Sequence, residues 1–248
     1  MATWIVHLRL AENLLQMIDG LDEPCFAIGN IAPDSGIPDE NWESFNPPPE
    51  VLHFEVEVSA TFKIADLDFY RQYLLPMRKS DLDVKRFSFL LGYFFHLVTD
   101  NLWTQEIGHP TQTRFADEFE ANPKFIWEVK RDWYGLDLAY VRAYPESLFW
   151  STFLDAEYTD DYLEFLPRDA IQQRMAYIKE LYQRTDERIE ELWVRRPNKY
   201  LTQEEVDGFI DLGTQLLHDS YRFLWEQGKK TSGASSVLEI ILGKGIAE

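Results

Sequence analysis

An all-α fold, built as a single-domain multi-helix bundle, is what the sequence predicts, and three observations carry that prediction. Apolar residues recur at three- and four-residue steps over most of the chain. Glycine and proline gather in one early segment, residues 21–50, and elsewhere punctuate long periodic runs. The composition, 45% hydrophobic and 15% aromatic over 248 residues, fills one sizeable core and excludes disordered, collagenous and low-complexity classes. No internal repeat and no linker divides the chain. Residues 1–228 therefore read as one helical domain and 229–248 as a C-terminal tail.

The first helix starts at Trp4. Trp4, His7, Leu8, Ala11, Leu14, Leu15 and Ile18 share one face, and Gly20 ends the run. Residues 21–50 read as loop, because Pro24, Pro33, Pro38 and the Pro47-Pro48-Pro49 triplet forbid a long helix. Residues 51–62 alternate as a short strand would, although an extended loop fits equally. A long helix is expected from about Leu82 to Ile107, opened by a capping-box-like Ser80 and Asp83 and closed by Gly108 and Pro110. Two more helices are expected in 111–132 and 137–154, with Pro123 and Pro145 interrupting. Ile171, Met175, Ile178, Tyr182, Ile189 and Leu192 mark another, stopped by Pro197. The last begins at Thr202, whose Thr-x-x-Glu box uses Glu205. Beyond Gly228 the chain is linker-like and ends on a short apolar stretch that either docks or dangles.

Charge and cysteine usage narrow the function classes. The formal net charge of −19 argues against a broad surface for a nucleic-acid polymer or anionic lipid. The single cysteine, Cys25, excludes an internal disulfide framework and multi-cysteine zinc modules, and no histidine beside it suggests nucleophilic catalysis. No glycine-rich phosphate loop and no Gly-x-Ser-x-Gly elbow is present. The N-terminal residues lack the pattern of a targeting peptide. The longest apolar stretch, Phe87 to Val98, contains His96 and is bounded by Arg86 and Asp100, too short and polar to span a bilayer. A cytoplasmic protein without integral membrane association is the default expectation. Oligomeric state is left open.

Five histidines make the position of each informative. His96 and Asp100 lie four apart on the most apolar helix, which stacks both side chains on one face. A metal takes imidazole and carboxylate from a rigid element in that way. A core histidine hydrogen-bonded to aspartate is the plainer alternative, but an ionised aspartate amid Phe94, Phe95, Leu97 and Val98 is costly without a compensating cation. His7 alone reads as a buried structural histidine. Asp34 alone reads as an Asx turn before Ser35-Gly36, and His53 alone carries no signal.

Taken in order, His7, Asp34, His53 and His96-x-x-x-Asp100 resemble the zinc-dependent phospholipase C and S1/P1 nuclease superfamily, and more closely its bacterial zinc-dependent phospholipase C-like branch. The specific segments are Gly29-Asn30-Ile31-Ala32-Pro33-Asp34 and Gly92-Tyr93-x-x-His96-x-x-x-Asp100. Thr3-Trp4 through His7, the following Ala11-Glu12-Asn13-Leu14-Leu15, and His53-Phe54 accompany them. The resemblance implies a bundle of the phospholipase C / P1 nuclease type that hydrolyses a small phosphate ester, phosphodiester or phosphomonoester, with zinc (or another divalent metal).

Residue by residue, it implies that His53, His96 and Asp100 hold one zinc, with Asp34 bound to it or beside it. His7 would help hold a second zinc, Asp100 would bridge the two, and Asp34 would orient or deprotonate the attacking water. Two divalent ions against Asp34 and Asp100 would leave a local charge of about +2, able to attract a small phosphate. Two departures limit the metal count to one or two. The family's secreted enzymes begin at a metal-binding tryptophan, whereas Trp4 is internal here. The family's third site uses a nearby histidine and a His-x-x-x-Glu, whereas this chain offers His109 and no His-x-x-x-Glu. His218 is an additional candidate ligand from the last helix, with a solvated histidine as its alternative.

Two rival readings remain. A non-catalytic metal-binding or interaction protein could retain the fold, with the aromatics of the middle third (Trp127, Trp133, Tyr134, Tyr140, Tyr144, Phe149, Trp150) serving first as core and second as a partner surface or apolar cleft. An HD-type phosphohydrolase would use His218-Asp219, the one adjacent His-Asp pair.

Overall fold

The computed structural model describes residues 1–41, 43–56, 62–77, 82–228, 231 and 233–243. It is all-α, as predicted, with one small two-stranded sheet among the described residues. At its centre lies α5 (Val84–Trp103), in which every residue from Phe87 to Trp103 is buried. A helix apolar on all sides has to be surrounded, and this one is. Around it pack α1 (Trp4–Leu15), α2 (Glu23–Gly29), α11 (Gln203–Tyr221) and α12 (Val237–Gly243). Asp83 itself caps α5, accepting from Arg86 N at 3.1 Å. Ser80, expected to open that helix, lies outside the described residues.

The segment expected to be loop contains α2. Pro24 does not forbid this helix, because it occupies the first turn, where no backbone donor is needed. Asp22 caps the turn by accepting from Cys25 N at 3.0 Å. α2 lies against α5 closely enough that both touching positions are glycines. A Cβ on Gly29 would meet the carbonyl of Phe89, and a Cβ on Gly92 would lie 2.5 Å from the carbonyl oxygen of Phe26. The loop further holds a 3-10 turn, Ala32–Asp34, and a two-stranded hairpin pairing β1 (Ile37–Pro38) with β2 (Phe45–Asn46).

The expected strand over 51–62 is corrected. The chain there begins in a helical turn, α3 (Pro49–Leu52), turns again at His53 and Phe54, and then makes a single bridge from Glu55 to Ile64. Residues 57–61 lie outside the described part. Asn101 fixes the return segment, accepting from Ile64 N at 3.1 Å and donating to Ile64 O at 2.8 Å.

Further boundaries also shift. α4 (Asp66–Phe69) comes after the bridge and runs on into a π turn. The span 111–154 divides into α6 (His109–Arg114), α7 (Ala116–Ala121), α8 (Ile126–Ala143) and a π turn at Phe149–Phe153. Pro123 separates α7 from α8, so α8 bridges the gap expected between two helices. The helix expected through Leu192 stops at Gln183 as α9 (Arg168–Gln183), because Arg184 is extended. Asp186 then caps a new turn, α10 (Glu187–Ile189), which passes into a π turn at Glu190–Val194. The Thr202–Glu205 capping box forms as predicted. The apolar end docks: Val237 and Leu238 are fully buried, and Val237 N donates to the buried Asp66 carboxylate at 2.8 Å.

Candidate metal centre

The elements that carry the candidate ligands are held by local chemistry. α1 sets His7 one turn beyond Trp4, with His7 N donating to Thr3 O at 3.1 Å. The Thr3 hydroxyl donates to Asp137 at 2.8 Å, which ties the start of the chain to α8. Pro33 shapes the turn that ends at Asp34, and His53 sits where α3 ends. α5 presents His96 and Asp100 one turn apart.

His7, His53, His96 and Asp100 are buried, and the Asp34 side chain is 15% exposed. The five converge. His96 Nε2 lies 3.3 Å from His53 Nε2 and 3.4 Å from Asp100 Oδ2. His53 Nε2 lies 3.5 Å from Asp100 Oδ2 and 3.4 Å from Asp34 Oδ1. His7 Nε2 lies 3.5 Å from the other Asp100 oxygen, Oδ1, and its ring stacks on His96 at 3.8 Å and 6°. Two groups of potential metal donors result, His7/His96/Asp100 and Asp34/His53/His96.

Tautomers are set by the partners. His96 Nδ1 faces Asn30 O at 2.8 Å and His53 Nδ1 faces Pro49 O at 3.0 Å. A carbonyl only accepts, so both Nδ1 atoms carry the proton, and in the neutral rings both Nε2 lone pairs point at each other and at Asp100. Asp100 Oδ2 is buried with no hydrogen-bond donor, and both ring nitrogens of His7 are likewise unpartnered. Converging lone pairs and carboxylates with no hydrogen between them repel unless a cation joins them.

The spacing suits zinc. Bonds of about 2.0–2.2 Å in a tetrahedron put ligand atoms about 3.3–3.6 Å apart. The His53, His96 and Asp100 atoms form a triangle with sides of 3.3, 3.4 and 3.5 Å. The residues present therefore fit the metal. The His7/His96/Asp100 group fits a second ion less well. His96 has one free nitrogen for one ion, and Asp100 Oδ1 already accepts from Ala2 N at 2.7 Å.

The electrostatics show the same pattern. Burial works to raise the Asp34 carboxyl, but His53 and His96 hold it well below the usual carboxylate range. Burial opposes ionisation of Asp100 too, and the N-terminal ammonium, with His96 and His7, holds it low. Burial pulls the His53 imidazole down, yet Asp34 leaves it above its ordinary value. Burial and the nearby His96 drop His7 to about 4.

One wall of a cavity of about 490 Å³ is formed by Asp34 and His53. The same cavity is lined by Trp127, Lys130, Arg131 and Tyr134 from α8 and by Arg174 and Tyr177 from α9. The dense aromatics of the middle third thus divide. Trp133 and Phe149 are core, while Trp127 and Tyr134 line the cavity. Trp127 and Tyr134 are among the aromatics read second as an apolar cleft, whereas Lys130 and Arg131 went unrecognised from sequence, although the 127, 130, 131, 134 spacing marks one helix face.

The additional candidates stand apart. His109 is exposed at the start of α6, and His218 is half-buried on α11. Neither belongs to a group of potential metal donors among the described residues, and the Asp219 carboxylate accepts from Gln215 at 3.0 Å. The HD-type alternative gains no group of metal donors at the His218-Asp219 pair among the described residues. No helix among the described residues is long and apolar enough to cross a membrane.

The family of zinc-dependent phospholipase C matches residues 6–129, half of the chain, a span that contains all five converging residues. No curated protein and no solved structure matches the chain. On the strength of that match and the all-α fold, the chain belongs to the zinc-dependent phospholipase C family.

Proposed function

We propose that the protein hydrolyses a phosphate ester with one tightly held zinc ion, using His53, His96 and Asp100 as ligands and Asp34 as the group that handles the attacking water. The observation that supports this reading is the donor-free triangle of His53 Nε2, His96 Nε2 and Asp100 Oδ2 beside a cavity. A zinc ion there supplies Lewis acidity and lowers the pKa of water.

The chain's own groups do the rest. Asn30 O and Pro49 O lock the two imidazoles with Nε2 presented, as backbone acceptors do for metal-ligating histidines. Asp34, the only one of the five with an exposed edge toward the cavity, accepts the proton of the attacking water. His7 backs His96 by stacking and stays neutral. A second ion would have only His7 and an Asp100 oxygen already engaged by Ala2.

Metal analysis of the purified protein beside His96→Ala, Asp100→Ala and Asp34→Asn tests this, with circular dichroism to check the fold. About one zinc per chain is expected in the parent and in Asp34→Asn, and none in the other two. A panel of phosphomonoesters and phosphodiesters, with and without chelator, then reads turnover, which Asp34→Asn should lose. No zinc in the reconstituted parent sinks the proposal. Zinc without turnover on any ester favours a metal-binding protein that retains the fold.

A further inference from the structure

The cavity wall is basic in an acidic protein. Although the chain has 43 acidic against 24 basic residues, the cavity is lined by Lys130, Arg131 and Arg174 and by one carboxylate, Asp34. One zinc against Asp34 and Asp100 leaves no net charge, so a basic side chain of the wall adds long-range attraction for a phosphate. The three candidates differ. Arg131 pairs with Glu128 at 2.9 Å. Arg174 donates to Gly36 O at 3.0 Å and lies over the rings of Trp4 and Tyr177, at 5.5 and 5.8 Å. Both are occupied in building the wall.

Lys130 is not. Among the described residues no carboxylate lies within ion-pair distance of its ammonium, which sits 5.3 Å from the Trp127 ring and 6.0 Å from the Trp133 ring. Aromatic faces attract a cation but do not replace its hydration. A half-buried ammonium in apolar surroundings is costly without an anion, and those surroundings strengthen its pull on one. Lys130 lines the same cavity as Asp34 and His53, and although burial lowers its pKa, Asp34 and Asp100 pull it back up. Lys130 also lies just beyond the matched span of the family.

We propose that Lys130 contacts a phosphate oxygen of the substrate and is the residue that holds the anion against the metal centre. This rests on the phosphate-ester reading above. The test compares parent, Lys130→Met and Lys130→Arg, each loaded with zinc, by metal analysis and by calorimetric titration with inorganic phosphate at two salt concentrations. Equal zinc in all three is expected, with phosphate binding about tenfold or more weaker in Lys130→Met, largely restored in Lys130→Arg, and less salt-dependent in Lys130→Met. Equal zinc with phosphate affinity in Lys130→Met within twofold of the parent overturns the role of Lys130 and leaves the metal centre standing. A parent that takes up no zinc overturns the function itself, and Lys130's role with it.

Discussion

Gly92→Ala probes the link between the packing of the fold and the metal centre. The added Cβ would lie 2.5 Å from Phe26 O and 2.9 Å from Asn30 N, both backbone atoms of the α2 end that cannot swing aside. Ordinary contact begins near 3.4 Å, so α2 must retreat from α5 by about 1 Å. Overpacking of this kind costs about 1–3 kcal/mol. The retreat carries Asn30 O, which orients His96 from 2.8 Å, beyond hydrogen-bonding range. Loss of such a backbone partner weakens metal binding roughly 10- to 100-fold. Urea denaturation reads the first effect and competition with a chromophoric zinc chelator the second. Gly208→Ala serves as control, since nothing lies within 4 Å of its Cβ and it sits inside α11. That change should stabilise by roughly 0.5–1 kcal/mol and leave zinc affinity alone. If Gly92→Ala matches the parent in both assays, the reasoning about the α2–α5 crossing is wrong.

Two further outcomes are expected. Zinc at a hundredfold excess over its Kd should raise unfolding stability by about 2.7 kcal/mol. Thermal melts should show this shift in the parent, His109→Ala and His218→Ala and not in His96→Ala, and a loss in His218→Ala would place that residue at the centre after all. Asp137 is buried, accepting from Thr3 at 2.8 Å and Tyr182 at 2.5 Å, and burial pushes its carboxyl up to about 7. Between about pH 4 and 7 the folded state keeps a proton that the unfolded state releases, so this group's contribution to stability falls as pH rises and levels off above 7. From pH 5 to 7, Asp137→Asn should therefore gain on the parent by on the order of 2 kcal/mol, and a constant difference in urea midpoints would refute the shift.

The helical class, the core-filling α5 and the Thr202–Glu205 cap were determined by sequence alone, because apolar period and capping are local properties that survive without knowledge of the neighbours. The identities of His7, Asp34, His53, His96 and Asp100 were legible as well, through the motifs that contain them. α2 was not, since proline density hid a helix that needs only its first turn to tolerate Pro24. Tertiary structure decided which residues meet. Asp34, His53 and His96 converge because α2 and α5 cross at two glycines and because Asn30 O and Pro49 O aim the rings. A backbone carbonyl has no letter in the sequence. The same crossing of elements leaves His109 and His218 aside and turns the Trp127, Lys130, Arg131 and Tyr134 face of α8 toward the cavity. That face is helical in period, but only the packing of α8 against the site makes it a wall rather than a solvated surface.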